Sequence, residues 1–218
     1  GHPERAWRAL SQWRSSWLSR EGVAALLTFI PGLAFAWCWL NLGIDQAWTL
    51  ISGGLTAVLS LTTVWCTAMI YACLKAIPAW RTPWTLPGYL SLSVMTGAVL
   101  LNFMIAVTGT PATKLPVYSS VGFMLFGLLV KGIYWAFLNG AAPAATIQQA
   151  TGLHASSVRQ LDAPHDSANY LMLEMGFRIA RKHANTLRKI SIVLGFLVPA
   201  AVLGSTLGTT LVIDLGLG

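Results

Sequence analysis

Five long apolar runs dominate this chain, and each is close to the length that a helix needs to cross a lipid bilayer. About 20 mostly apolar residues span the hydrocarbon core. Backbone exposed to lipid must satisfy its own hydrogen bonds, so helices are the expected spanning element. We therefore predict an all-α integral membrane protein, a bundle of about five transmembrane helices that forms a single transmembrane domain over residues 1–218. The predicted spans are 22–42, 47–74, 86–108, 117–139 and 190–213.

The composition agrees with a membrane protein and argues against metal or haem in this chain. Hydrophobic residues make up 55% of the sequence and charged residues only 10%, against about 25% charged in an ordinary soluble domain. The three cysteines show no CxxC spacing, so neither a disulfide framework nor a metal or iron–sulfur ligand set is supported. All four histidines fall outside the predicted spans, and a haem needs an axial ligand inside the bundle. We expect no haem and no metal here.

The basic residues explain the net charge of +7 by their position. They lie in alternate loops, and all Lys and Arg residues except Lys114 and Lys131 fall on one side of the predicted bundle. Cytoplasmic loops carry such an excess of positive charge, so Gly1 and segment 140–189 are predicted to be cytoplasmic and Gly218 to lie outside. The charge therefore needs no nucleic-acid partner.

Segment 140–189 is too polar to cross a membrane and too long for a simple turn. A helix-start signal at 163–167 precedes apolar residues at alternating intervals of three and four, which predicts an amphipathic helix over about 167–189 on the inner face. Its other face is basic, so this helix lies on anionic headgroups, docks a cytoplasmic subunit, or does both. The apolar positions are Tyr170, Leu173, Phe177, Ala180, Ala184 and Leu187.

Two ionisable residues stand out because they fall at or within predicted spans. Glu21 begins the first span and Lys131 lies inside the fourth. An ionisable group in the membrane is costly enough to be a functional hypothesis. The alternative for Lys131 is snorkelling, in which the stem lifts the ammonium toward the inner headgroups. The alternative for Glu21 is a carboxylate stabilised by a helix N-terminus, and its functional interpretation is a proton acceptor at the mouth of a lipid-facing pocket.

Hydrogen-bond donors, an acceptor and flat rings are concentrated around Glu21 at one predicted depth. A quinone needs such a place, because its carbonyls take hydrogen bonds and its ring takes apolar walls. Its two-electron chemistry also moves two protons through a titratable group. This pattern favours a quinone site near the inner interface. The residues concerned are Arg5, Trp13, Arg14, Trp17, Arg20 and Glu21.

At these residues the sequence resembles a known family. The opening text GHPERA at 1–6, followed by Ser11 and by SRE at 19–21, resembles the membrane anchor subunit of dimethyl-sulfoxide-reductase-type molybdoenzymes. The text EMGFRIARKHA at 174–184 is similar to the branch that anchors cytoplasmic, sulfite-oxidising (sulfite dehydrogenase) complexes. The resemblance covers most of the chain.

The resemblance implies a three-part complex in the bacterial inner (cytoplasmic) membrane. Its parts are a molybdopterin catalytic subunit, an iron–sulfur electron-transfer subunit, and this anchor, which is not catalytic alone and exchanges electrons with ubiquinone or menaquinone. The sulfite branch implies that electrons from sulfite reduce quinone. The alternative is the anchor of a dimethyl sulfoxide or other S- or N-oxide reductase that oxidises quinol. Members typically have eight spans, so both ends are expected to be missing here.

The resemblance also implies roles for individual residues. The family's functional glutamate at the head of a span matches Glu21, which would relay protons, and its G-x-P-x-R-A arginine matches Arg5. Arg5 and Arg20 would bind a carbonyl or set the charge of the carboxylate, and Trp17 would help to wall the pocket. A family histidine just before the glycine has no counterpart, because the chain starts at Gly1. Further candidates for the quinone site are His2, Arg14, Lys131 and Trp135.

Two functions of other classes stay open. A small-molecule transporter or channel would be favoured by midplane charge, broken helices and internal repeats, but the sequence offers only Lys131, two prolines and no convincing repeat. A scaffold would tether its partners without binding quinone. Gly204 and Gly208, spaced as GxxxG, would serve helix packing under any of these functions.

Overall fold

The part of the chain that the structure describes is helical throughout its regular elements. The computed structural model describes residues 7–75, 77–108, 114–140, 151–152 and 182–204. The helices are the four-residue α1 (Arg8–Ser11) and the longer α2 (Trp17–Leu42), α3 (Ala47–Ala72), α4 (Thr85–Val107), α5 (Lys114–Gly140) and α6 (Ala184–Ile192). Helix α6 continues through the π-helical turn Val193–Leu197 to Gly204. The described residues contain no strand.

Five helical segments are long and apolar enough to cross a membrane, as predicted. They are α2, α3, α4, α5 and the continuous segment Ala184–Gly204, with mean hydropathies between 1.6 and 2.0. The last segment begins six residues before the predicted span, so the end of the predicted amphipathic helix is continuous with it. The remainder of that prediction, most of loop 140–189, Gly208 and the rest of the tail lie outside the described residues.

The chain divides into two compact units, and helices α4 and α5 contribute to both. The first unit comprises residues 1–101 and 122–139. It contains the α2–α3 pair, and within it Gly127 of α5 packs so closely on Met95 of α4 that an added Cβ would lie 3.3 Å from the sulfur. In the second unit, 102–121 with 140–218, the Asn102 amide donates to the hydroxyl of Ser120 at 2.7 Å.

Helix α2 begins earlier than the sequence predicts because Ser16 caps it. Ser16 is extended, with φ −114° and ψ 125°, and its hydroxyl accepts from the backbone N–H of Ser19 at 3.5 Å. Serine favours this position because its oxygen satisfies a backbone donor that the first turn leaves unpaired. The helix therefore starts at Trp17, and Glu21 lies one turn inside it. The prediction that Glu21 begins the span is wrong, and a helix dipole acts chiefly on the first turn.

The segment before α2 folds back along it. Leu10 packs on Gly22, where an added Cβ would lie 2.9 Å from the Leu10 methyl carbon. The Ser19 hydroxyl donates to the carbonyl of Ala9. Arg20 donates from Nε to the carbonyl of Trp13 at 2.8 Å, and from one terminal nitrogen to that of Arg14 at 2.6 Å. These bonds tie the backbone at Ala9, Trp13 and Arg14 to the first turns of α2.

Helices α2 and α3 form an antiparallel hairpin joined by a short turn. Gly43 ends α2 with φ +90°, a backbone conformation that favours glycine, and its carbonyl accepts from the Thr49 hydroxyl at 2.8 Å. Small residues bring the helices close, since a Cβ on Gly53 would lie 3.0 Å from the ring of Phe35. The same register places Glu21, near the start of α2, beside Thr67, near the end of α3.

Replacing Gly53 with alanine is expected to destabilise this hairpin by about 1–2 kcal/mol, because the added methyl group would overlap the Phe35 ring. Gly54 is the matched control, since a Cβ there meets nothing within 4 Å. Gly54→Ala should be neutral or gain up to about 1 kcal/mol of helix propensity. Thermal unfolding of the two detergent-solubilised variants measures the difference, and equal midpoints would contradict the close packing.

Candidate functional site

The first unit contains a half-open cavity of about 610 Å³ between α3, α4, α5 and the loop that joins α3 to α4. We call it the aromatic cavity, because five of its lining residues are tyrosine or tryptophan. Hydroxyl groups and one ammonium complete the wall, so the cavity combines flat apolar surfaces with hydrogen-bond donors. Its main residues are Thr67, Tyr71, Trp80, Trp84, Gly88, Tyr89, Thr96, Lys131 and Tyr134.

Ring contacts hold the cavity wall together. Tyr71 of α3 meets Trp80 edge to face, with ring centroids 5.0 Å apart and planes at 87°. Its ring also stacks on Tyr89 of α4 at 5.5 Å and 20°. The Tyr134 hydroxyl of α5 donates to the carbonyl of Ala79 at 3.0 Å. The α3–α4 loop is therefore tied to α3 through Trp80 and to α5 through Ala79, and it forms one wall of the cavity.

Glu21 reaches this cavity through a threonine. The Thr67 hydroxyl donates to Oε1 of Glu21 at 2.6 Å, and Thr67 itself lines the cavity. The same hydroxyl lies 3.0 Å from the carbonyl of Thr63, so its single proton has two acceptors. When Glu21 is ionised, Thr67 donates to it. When Glu21 is protonated, it can donate to Thr67, which then donates to Thr63, so neither protonation state loses a hydrogen bond.

Lys131 places its ammonium group against two aromatic rings. Its Nζ lies 5.1 Å from the ring centroid of Tyr134 and 5.4 Å from that of Trp135, within the range of cation–π attraction. The residue is half-buried and lines the aromatic cavity. Lys131 therefore gives the cavity a cation on α5. The one carboxylate that the described residues link to the cavity is that of Glu21, which is hydrogen-bonded to Thr67 of α3.

Trp17 and Arg20 line a different hollow, which we call the apolar groove. It has a volume of about 900 Å³ and runs between α2 and α3, with Leu90 of α4 also in its lining. The Arg20 guanidinium lies 4.2 Å from the centroid of the Trp17 ring. The remaining walls are mostly aliphatic and aromatic. They include Trp13, Val23, Leu27, Val58, Leu61, Trp65 and Cys66.

The predicted site residues thus separate into two neighbouring places. Lys131 lines the aromatic cavity, with Trp135 beside its ammonium, and Glu21 joins that cavity through Thr67. Trp17 and Arg20 lie in the apolar groove. Arg14 is exposed, 5.5 Å from the centroid of the Trp13 ring. His2 and Arg5 lie outside the described residues.

The sequence reasoning missed most of the aromatic cavity. Trp80 and Trp84 lie between two apolar runs, where tryptophans commonly anchor helices at the membrane interface, and the structure places both in the cavity lining. One available signal was the spacing of Thr63, Thr67 and Tyr71, which puts three hydroxyl groups on one face of an apolar helix. Among the residues that the structure describes, no three His, Cys, Asp or Glu side chains are grouped to hold a metal ion.

Comparisons with known proteins agree with the fold. Residues 1–213 match the family described as DMSO reductase anchor subunit (DmsC). The chain is 30% identical, over 94% of its length and 66% of the relative's, to a subunit of the sulfite dehydrogenase of Allochromatium vinosum. It is 24% identical, over 70% of its length and 53% of the relative's, to a subunit of the anaerobic dimethyl sulfoxide reductase of Escherichia coli. No solved structure matches the chain with significance.

These relatives are longer than the chain, which spans about two thirds of the first and about half of the second. The family match extends over nearly the whole chain and agrees with its five apolar helices. The chain belongs to the DMSO reductase anchor subunit family.

Proposed function

We propose that this chain is the membrane anchor through which a molybdopterin oxidoreductase exchanges electrons and protons with the quinone pool, and that the quinone ring binds in the aromatic cavity. One observation carries this proposal. The Glu21 carboxylate, on a membrane-spanning helix, is hydrogen-bonded to Thr67 in the wall of a cavity lined by rings and donors. A ring-shaped redox carrier that gains or loses protons needs these three features together.

Glu21 is the proposed proton relay. Reduction of a quinone to a quinol takes two electrons and two protons, so a group near the carbonyl oxygen must deliver protons and be reprotonated. Thr67 offers a hydrogen bond to Glu21 in either protonation state, because its own proton can turn to the Thr63 carbonyl. A carboxyl group held in this way can change its charge without rearrangement of the helices.

The cavity also supplies donors for the second quinone carbonyl. Lys131 is a cation whose ammonium sits against rings rather than in open solvent. A charge-assisted hydrogen bond from it would favour the extra electron density that reduction places on a carbonyl oxygen. Tyr71 and Tyr89, stacked on each other, offer flat apolar surface and two further hydroxyl groups. His2, Arg5, Arg14, Trp17, Arg20 and Trp135 remain proposed members of the wider site.

The partners and the direction of electron flow are part of the same proposal. The relative from Allochromatium vinosum is a sulfite dehydrogenase subunit, which supports quinone reduction with electrons from sulfite. The relative from Escherichia coli supports the reverse flow, from quinol to a reductase, as the alternative. An iron–sulfur subunit and a molybdopterin subunit would dock on the cytoplasmic side of a bacterial inner membrane, where segment 140–189 is predicted to lie.

A cavity-filling pair of variants tests the location of the quinone. Gly88 lines the aromatic cavity and Gly97 does not; both lie on α4, and a Cβ on either meets nothing within 4 Å. Gly88→Leu should lower the quinone retained by the purified complex at least fivefold, because the leucine side chain would fill the part of the cavity where the quinone ring is proposed to bind. Gly97→Leu should retain the wild-type amount. Extraction and chromatographic quantification of quinone measure both, and equal retention would place the quinone outside this cavity.

A further inference from the structure

Three tryptophan–arginine pairs occupy the short stretch that precedes and begins α2. Arg8 lies 5.9 Å from the Trp7 ring centroid, and Arg14 lies 5.5 Å from that of Trp13. The third pair, Trp17 with Arg20, is the closest at 4.2 Å. Residues 7–20 contain no acidic side chain. The next residue, Glu21, is hydrogen-bonded to Thr67. A row of guanidinium groups, each near a flat ring, is suited to a phosphate that sits where water meets lipid.

The apolar groove continues from the last of these pairs into the membrane-spanning region. Trp13, Trp17 and Arg20 lie in its lining with aliphatic side chains of α2 and α3, so one hollow contains both a cation and an extended apolar surface. Several of its walls are exposed in this chain, among them Leu27 at 46% and Val58 at 61%. Such walls suit a flexible hydrocarbon chain rather than a compact polar ligand.

Arg20 keeps hydrogen-bond donors for a ligand after its own structural bonds are made. Two of its five N–H groups point to the carbonyls of Trp13 and Arg14, which fixes the guanidinium over the Trp17 ring. The other N–H groups, and the guanidinium of exposed Arg14, remain for an anion at the groove's end. A quinone tail would fill the apolar walls, but it has no anionic group for the arginines.

We propose that the apolar groove and residues 7–20 bind one anionic phospholipid, with its phosphate on Arg14 and Arg20 and an acyl chain along α2 and α3. The site is separate from the aromatic cavity, whose lining shares no residue with the groove, so this proposal moves Arg14 and Arg20 from the wider quinone site to a lipid site. The bound lipid would fix the start of α2, and with it the helix that carries Glu21. Lipid binding is measured without turnover, so its outcome does not depend on the proposed quinone chemistry.

A groove-blocking variant tests the acyl-chain part of this site. Thr62 is exposed, lines the groove, and has its hydroxyl bonded to the Val58 carbonyl of its own helix. Ala57 is also exposed on α3 and lies outside the groove lining. The intact complex is purified in mild detergent from membranes that contain phosphatidylglycerol and phosphatidylethanolamine, and retained lipid is quantified by mass spectrometry. Thr62→Phe should lower retained phosphatidylglycerol about fivefold, and Ala57→Phe should not.

A charge variant tests the headgroup part. The double variant Arg14→Gln, Arg20→Gln should lower retained phosphatidylglycerol about fivefold. The control is the double variant Lys75→Gln, Arg81→Gln, which also removes two cations but on the α3–α4 loop. This control should retain the wild-type amount of phosphatidylglycerol. Equal phosphatidylglycerol in the test and control variants overturns the proposal. An equal loss of phosphatidylethanolamine also overturns it, because the site would then not select charge. Loss of quinone with unchanged phosphatidylglycerol assigns the groove to a quinone tail and overturns it as well.

Discussion

Replacing Glu21 with glutamine is expected to lower quinone-coupled turnover of the complex about 100-fold, while turnover with an artificial dye that reacts with the partner subunits stays at the wild-type rate. Glutamine keeps an oxygen that can accept from the Thr67 hydroxyl, so the α2–α3 contact survives. It cannot bind or release the proton, and a positioned acid–base group contributes roughly 10²–10⁴-fold. Steady-state rates with a water-soluble quinone analogue and with the dye measure the two activities.

Asp45 supplies a matched control for this variant. It lies in the exposed turn between α2 and α3, at the far end of the hairpin from Glu21, so Asp45→Asn removes the same charge without touching the proposed relay. Both activities should then be unchanged. Thr67→Val should give a smaller loss than Glu21→Gln, because the carboxyl group remains but loses its link to the cavity. Wild-type quinone turnover in Glu21→Gln would reject the relay.

Replacing Lys131 with methionine is expected to weaken quinone binding about tenfold or more. Methionine is similar in length and apolar, so the packing on Tyr134 and Trp135 is largely kept while the charge is lost. A hydrogen bond from a charged donor contributes roughly 1.5–3 kcal/mol, which corresponds to at least a tenfold change in affinity. Fluorescence titration of the purified complex with a quinone-site inhibitor measures the change directly, apart from catalysis.

The snorkelling interpretation of Lys131 makes the opposite prediction. If the ammonium serves only to reach the headgroups, an apolar replacement leaves inhibitor affinity unchanged and at most alters the stability of α5. Lys75→Met, on the exposed α3–α4 loop, is the control for loss of a lysine at the same predicted face. Unchanged affinity in both variants would remove Lys131 from the quinone site, whereas a loss confined to Lys131→Met would keep it there.

The five spans could be predicted from the sequence because the length of an apolar run is set by the thickness of the bilayer and by backbone hydrogen bonding. The exact helix ends could not. Helix α2 starts at Trp17 because the hydroxyl of Ser16 caps it. The residues before 22 are too polar for their hydropathy to predict this start. The last span likewise extends back to Ala184, through residues whose pattern alone predicts an interfacial helix.

The candidate site was predictable only in part. Glu21 stands out in the sequence because a carboxylate at a membrane span is costly, but its partner depends on helix register. Thr67 reaches it because the turn at Gly43 and the close approach of Gly53 to Phe35 align α2 with α3. The tryptophans of the α3–α4 loop look interfacial in sequence, and only tertiary contacts such as that of Tyr71 with Trp80 turn them toward a cavity.

The bond between Glu21 and Thr67 joins residues 46 positions apart, and this separation matters while the protein is being made. At roughly 5–20 residues per second of synthesis, Glu21 leaves the ribosome about 2–9 seconds before Thr67, whose hydroxyl will donate a hydrogen bond to it. If α2 were inserted alone, the Glu21 carboxyl group would lie at the lipid boundary without its hydrogen bond from Thr67. Entry of the two helices as one looped unit avoids such an intermediate, so the tight turn at Gly43 also bears on biogenesis.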